Sequence, residues 1–191
     1  MVIGPVIYPP QPITFEQYMA EEPVKRRYDI VNGVRVFSVP PSLRHQDILG
    51  NILSAFNDYG RQAGYATLFS LFDVLISWEP FCTRQPDVML VSKAGLQSHK
   101  DGEPLSFAPE LVVEILSSTE RELALDTKLR DYTAIGVQEC WIVRPEESAI
   151  TTLRPTYSGW EQAAVYKADE ILIASILPKL HVPVNDIFTI G

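Results

Sequence analysis

The stretch that most constrains this 191-residue chain is Leu111–Leu116, Leu-Val-Val-Glu-Ile-Leu. Period-two alternation puts Leu111, Val113 and Ile115 on one face and Val112, Glu114 and Leu116 on the other, so both faces are apolar apart from one carboxylate. Such a segment is an inner strand covered on both sides. The residues after it narrow the topology further. Thr119 is a helix cap, a helical pattern runs from it to about Ala134, Gly136 ends that pattern, and Glu139 to Val143 reads as another strand. Strand, helix and strand in that order imply a right-handed parallel crossover.

Upstream, Ser42 caps a stretch in which Ile48, Leu49, Ile52, Leu53, Phe56 and Tyr59 recur at three- and four-residue steps up to Gly64, the mark of an amphipathic helix. Two more apolar segments of strand length come next, Tyr65 to Trp78 with a break near Ser70, and Asp87 to Val91. The middle of the chain therefore reads helix, three strands, helix, strand. Before it, Tyr28–Val31 and Val34–Ser38 flank Asn32-Gly33, a pair that tolerates positive φ at both turn positions and signals a hairpin. Thr14 and Gln17 have capping-box spacing, so a short helix begins there and stops near Pro23. Pro5, Pro9, Pro10 and Pro12 make residues 1–13 an extended arm, leaving 14–191 as one domain. Beyond the core, Ile150–Leu153, Trp160–Tyr166 and Glu170–Ile173 form a small β extension, closed by a helical turn near Val184–Phe188.

Charge limits what the chain can grip. With 24 acidic against 16 basic residues and a net charge of -8, a globally basic, phosphate-binding surface is excluded, and contact with nucleic acid has to be local. Lys25, Arg26 and Arg27, together with Arg121, Lys128 and Arg130, would form such a patch if they share a side. No apolar run has the length of a membrane span, and Met1–Pro12 lacks the order of a signal peptide, so a cytoplasmic protein is expected. Cys82 and Cys140 stand far apart without CxxC spacing and read as buried thiols.

Three charged residues carry the chemistry. Glu114 on an inner strand has to be paired, bind a cation or titrate high. Asp87 follows Pro86 and opens the neighbouring apolar run. Two carboxylates at one end of adjacent strands would suit Mg²⁺ or Mn²⁺, hard cations that take one or two carboxylates and complete their shell with water and phosphate. Lys128 lies two to three helical turns beyond Thr119, within reach of Glu114, beside a buried flank of Leu125, Leu129 and Tyr132. A carboxylate pair with an ammonium is a minimal set for metal-assisted phosphodiester hydrolysis.

Arg84-Gln85-Pro86-Asp87-Val88, the run Pro109 to Ser117, Lys128 with Tyr132, and Gly136 to Val143 in series resemble the Uma-type family of endonucleases, within the PD-(D/E)xK nuclease superfamily. The Arg27 to Val34 hairpin, His45, Leu177-Pro178 and Asp186 to Phe188 add to the resemblance, which covers the chain from about Thr14. It implies an α/β fold with a restriction-endonuclease-like core, and a Mg²⁺- or Mn²⁺-dependent endonuclease acting on DNA. Asp87 and Glu114 would hold the metal, with Lys128 as the third catalytic residue. The superfamily pattern sets lysine two residues after the glutamate, where this chain has Leu116, and lysine on the following helix is the variant the family resembles. Asp29, where the family often shows Glu, and His45 in the first turn of its helix are second-tier candidates. For His45 a capping or hydrogen-bonding role carries more weight. Membrane partners are not expected, and a homodimer is left open. Two rival readings stand beside the nuclease: an inactive nuclease fold used in binding or assembly, which the acidic balance favours, and a ligand-binding α/β module, which an arginine clamped on Glu114 would favour.

Overall fold

The computed structural model describes residues 12–117 and 122–189, with the side chains of 122 and 123 left aside. Its elements run in chain order as α1 (Phe15–Ala20), β1 (Tyr28–Val31), β2 (Val34–Phe37), α2 (Leu43–Ala63), β3 (Tyr65–Phe69), β4 (Val74–Trp78), β5 (Phe81–Arg84) and β6 (Val88–Ser92), then α3 (Lys93–Leu96), β7 (Leu111–Ile115), α4 (Glu122–Ile135), β8 (Glu139–Arg144), β9 (Ala149–Thr156), β10 (Gly159–Tyr166), β11 (Ile171–Ile173), β12 (His181–Pro183) and α5 (Val184–Phe188).

A six-stranded sheet in the order β10-β9-β8-β7-β6-β3 carries the core. Among the described strands of this sheet, β7 and β8 alone pair in parallel, as the crossover through α4 requires. All five residues of β7 are buried. Its alternation splits the interior: Leu111, Val113 and Ile115 pack with Ile48, Ile52 and Phe56 of α2, while Val112 packs with Leu125, Leu129 and Tyr132 of α4. Trp141 of β8 is wholly buried and meets Phe56 edge-on, ring centroids 5.3 Å apart. Strands β11 and β12 with α5 close the α2 side, contributing Leu172, Val182, Val184 and Ile187.

The helix, three strands, helix, strand order is realised by α2, β3, β6, β7, α4 and β8, the restriction-endonuclease-like α/β core. The apolar segment Tyr65 to Trp78 is broken near Ser70, as expected, into the two strands β3 and β4. Ser70 and Leu71 both take positive φ, 38° and 41°, which turns the chain out of the large sheet after β3 and into a second one. That second sheet, β2-β1-β5-β4, joins the hairpin to β4 and β5. β5, Phe81–Arg84, has no counterpart in the sequence reading, because Phe-Cys-Thr-Arg is too short to show a period. The hairpin turn takes the expected form, with Asn32 at φ 51° and Gly33 at φ 76°. A Cβ on Gly33 would stand 2.7 Å from the Cβ of Pro12, so glycine is required by space as well as by angle.

Of the expected N-terminal arm, only Pro12 and Ile13 are among the described residues, and Ile13 does not behave as a surface arm. It is 3% exposed, packs with Tyr28, Ile30 and Phe81, and donates its N–H to Gly33 O at 2.9 Å. The capping box at Thr14 and Gln17 and the Ser42 cap are both formed. The Thr119 cap lies outside the described residues. Cys82 and Cys140 are buried free thiols. Among the described residues no helix is long and apolar enough to cross a membrane.

Candidate active site

Five segments that are distant in sequence meet where the small sheet abuts the large one. The link from β5 to β6 brings Asp87, β7 brings Glu114, α4 brings Lys128 and Tyr132, and the first turn of α2 brings His45. The approach to β1 brings Arg27. Asp87 and Glu114 are almost sealed, with side chains 3% and 2% exposed.

Glu114 is held on both oxygens. Lys128 Nζ lies 2.8 Å from Oε2, and the Tyr132 hydroxyl donates to Oε1. The helical offset explains this pairing, since Lys128 and Tyr132 are one turn apart on the face of α4 that lies over β7. Asp87 is held more fully. Its Oδ2 accepts the backbone N–H of Ile115 at 2.7 Å, and its Oδ1 faces both His45 Nε2, 3.1 Å away, and Arg27 Nη1. Arg27 reaches both acids: its Nη2 stands 3.7 Å from Glu114 Oε2, while its Nε and Nη2 donate to Gln85 O at 3.2 and 2.6 Å.

The two carboxyls are driven apart in acidity. For Asp87 burial pushes upward, but the His45 hydrogen bond, the Arg27 charge and the Ile115 N–H outweigh it and hold the carboxyl below its ordinary value. Glu114 goes the other way. Burial raises it and the neighbouring Asp87 charge adds to the rise, which Lys128 and Arg27 only partly offset. Burial also keeps Tyr132 well above the ordinary phenol range, so its hydroxyl remains a donor.

The sequence places Asp87, Glu114 and Lys128 together; in the structure Lys128 contacts Glu114, and Arg27 links Glu114 to Asp87. His45 does serve as a hydrogen-bonding imidazole, as expected, but its partner is Asp87 itself. Asp29 stands one layer behind. Its Oδ2 pairs with Arg84 at 3.0 Å and its Oδ1 accepts the Gln85 N–H at 2.9 Å, while Arg84 reaches on to Asp131 of α4 at 2.6 Å. Asp29 thus ties the small sheet to the helix bearing Lys128 rather than facing the carboxylate pair.

The condition that the six cations share one open side is not met by Arg27, Lys128 and Arg26. Arg27 and Lys128 are turned inward onto acids, Arg26 lies over the Phe37 ring, and Arg121 is outside the described residues. Arg27 is therefore the residue whose place the sequence reading missed. The signal was a charge count: two buried carboxylates balanced by one lysine leave room for a second cation. A third buried carboxylate, Glu139, is structural. It accepts Trp141 Nε1 at 2.7 Å on one oxygen, and Ser175 N–H at 2.7 Å and Ile176 N–H at 3.1 Å on the other.

Whether the site suits a divalent cation is decided by the same geometry. Both carboxylates already converge on one cationic group, the Arg27 guanidinium, so one position is shared by an oxygen from each. Among the described residues no cluster of three or more His, Cys, Asp or Glu side chains gathers at a metal-binding separation. A cation here would take two carboxylates and fill its shell from elsewhere, which is the habit of Mg²⁺ and Mn²⁺ and not of a closed structural zinc site.

The fold has a solved counterpart. A crystal structure described as that of a "putative nuclease" of a domain family of unknown function, from Anabaena variabilis ATCC 29413, superposes with a TM-score of 0.76 at 19% identity, covering 93% of this chain and 98% of that one. No curated protein matches the sequence. The model of the Uma2 family, described as "Putative restriction endonuclease", matches residues 14–185, nearly the whole of the described chain, and the chain belongs to that family.

Proposed function

We propose that the chain is a metal-dependent DNA endonuclease whose site is Asp87, Glu114 and Lys128, with Mg²⁺ or Mn²⁺ held by the two carboxylates. The observation that carries this reading is the convergence of two sealed carboxylates on one cation position, with a lysine ammonium 2.8 Å from the second of them. Buried acids held by specific charge partners are the kind of arrangement from which functional sites are built. When bound, the divalent cation supplies charge neutralisation to the scissile phosphate and Lewis acidity at its oxygens.

The chain's own residues do the rest. Lys128 Nζ donates to an oxygen entering beside Glu114 Oε2, orienting a water for attack or meeting the charge that grows on the phosphate. Tyr132 pins Oε1 so that Oε2 keeps its aim. His45 and the Ile115 N–H fix Asp87 in its ionised form, ready as a ligand. Glu114, held high by burial, is the group whose ionisation gates cation uptake.

The test is nicking of supercoiled plasmid by wild type and Glu114→Gln with Mg²⁺ or Mn²⁺. Cleavage by wild type alone is expected, and absence of cleavage across supercoiled, linear and single-stranded DNA overturns the reading. One observation favours the rival ligand-binding module with structurally paired acids: Arg27 is clamped on Asp87 and reaches Glu114, the feature that reading calls for. A metal titration separates the two, because a purely structural ion cluster takes up no Mn²⁺.

A further inference from the structure

The place of Arg27 leads beyond the nuclease reading and rests on it. We infer that Arg27 is a cation gate: its guanidinium holds the carboxylate pair in the metal-free protein and leaves it for an incoming phosphodiester, so that the substrate's phosphate and the divalent metal are taken up together.

Three observations carry this. The first is competition. Arg27 Nη1 sits on Asp87 Oδ1 and Nη2 faces Glu114 Oε2, so the guanidinium stands on the oxygens a metal would need from both acids. One cation has to leave before another enters. The second is access. With side-chain exposures of 3% for Asp87, 2% for Glu114 and 11% for Lys128, the acids are shut from solvent, whereas Arg27 keeps 24%. It is the most exposed charged member of the cluster, between the acids and water. The third is tethering. The Arg27 backbone is fixed where its carbonyl accepts the Ser38 N–H at 3.0 Å, whereas its side chain is long and, among the described residues, donates outside the acids to one carbonyl, Gln85 O, from Nε and Nη2. A guanidinium matches a phosphate as well as it matches a carboxylate, since both accept paired N–H donors. A phosphodiester arriving at the exposed part of Arg27 therefore offers it an alternative partner, and the vacated pair is one positive charge short until a metal arrives.

Linkage makes this measurable without turnover. If phosphate draws Arg27 away, DNA has to raise metal affinity, and removal of Arg27 has to raise it without DNA. The experiment is calorimetric titration of Mn²⁺ into the metal-free full chain, as wild type and as Arg27→Met. Each is run alone and with a short phosphorothioate DNA duplex, which keeps the charge and resists cleavage.

The expected result is that Arg27→Met alone binds Mn²⁺ about tenfold tighter than wild type alone, and that DNA tightens binding to wild type by more than it tightens binding to the variant. In chelator the variant should melt lower than wild type, because two buried acids lose a shared cation, so stability and metal affinity move in opposite directions. Equal Mn²⁺ affinities for the two proteins overturn the gate and leave the metal-dependent nuclease standing. Absence of Mn²⁺ binding to both, with and without DNA, overturns the nuclease reading itself. Arg27→Gln, which keeps donors but not charge, serves if Arg27→Met fails to fold, with the same expectation.

Discussion

Asp87 Oδ2 accepts the backbone N–H of Ile115 at 2.7 Å, which ties one acid to the residue next to the other. The link from β5 to β6 and the strand β7 are thereby locked in register at the point where their carboxylates meet, so the two acids move as a unit. A divalent ion binding only the native state should raise the melting temperature of wild type, and Asp87→Asn should abolish that rise. Asp87→Ala should go further, costing about 3–5 kcal/mol in urea unfolding, since Arg27, His45 and the Ile115 N–H all lose their acceptor. An undiminished metal-induced rise in Asp87→Asn would move the cation site elsewhere.

Lys128 separates an enzyme from an inactive fold. Its ammonium lies 2.8 Å from Glu114 Oε2 in a nearly sealed position. Lys128→Ala should lower turnover by orders of magnitude while Mn²⁺ still binds, the mark of an interaction made chiefly in the transition state. Burial adds a consequence that sequence spacing does not reveal. Truncation leaves Glu114 short of a partner and should destabilise the fold by about 3 kcal/mol. Single-turnover nicking measured well below the variant's melting temperature checks the first point, and unaltered rates would remove Lys128 from the chemistry.

The candidate site was legible where it depended on local periodicity. Glu114 betrayed itself as a charge inside an apolar strand, and Lys128 followed from the helix offset and the superfamily resemblance. Arg27 was not legible in the same way. Its neighbours Lys25 and Arg26 make it look like part of a solvated basic run, and only the antiparallel pairing of β1 with β5, set by long-range contacts, swings it over the carboxylates. The break near Ser70 was legible, but that it carries β4 into a second sheet was not, because the partners of β4 are set by long-range pairing. Pattern gives which faces are buried, whereas the partner of a buried charge is decided by tertiary packing.

The opposed acidities of the two acids give a pH signature. Asp87 is held low, so its contribution is present above the ordinary aspartate range and is lost as pH falls through its depressed native value. Glu114 is held high, so the native state prefers its proton, and stability declines as pH rises from the ordinary glutamate range through the raised native value. In metal-free protein Glu114→Gln should remove that decline. Asp73, also raised by burial, is common to both proteins and cancels in the comparison. Thermal melts of wild type and variant across the acidic and neutral range check this, and parallel curves would mean that Glu114 is ionised throughout.

Tyr132 holds the second oxygen of Glu114. The ring is wholly buried, and its hydroxyl donates to Glu114 Oε1 with burial holding the phenol well above its ordinary value, so it acts only as a donor. A hydrogen bond to the charged carboxylate favours the charged form. Tyr132→Phe keeps the ring in the α4 packing and removes this donor alone, at a cost of about 1.5–3 kcal/mol. The native Glu114 value should then climb further, and because a divalent ion needs the ionised carboxylate, the pH at which Mn²⁺ uptake reaches half should move upward with it. At alkaline pH the variant should bind Mn²⁺ nearly as well as wild type, since the ligands themselves are untouched. Calorimetric Mn²⁺ titrations of both proteins over a pH series supply the measurement. A displaced profile with matching alkaline affinities marks Tyr132 as a positioning residue acting through Glu114, and superimposable profiles would reduce it to core packing.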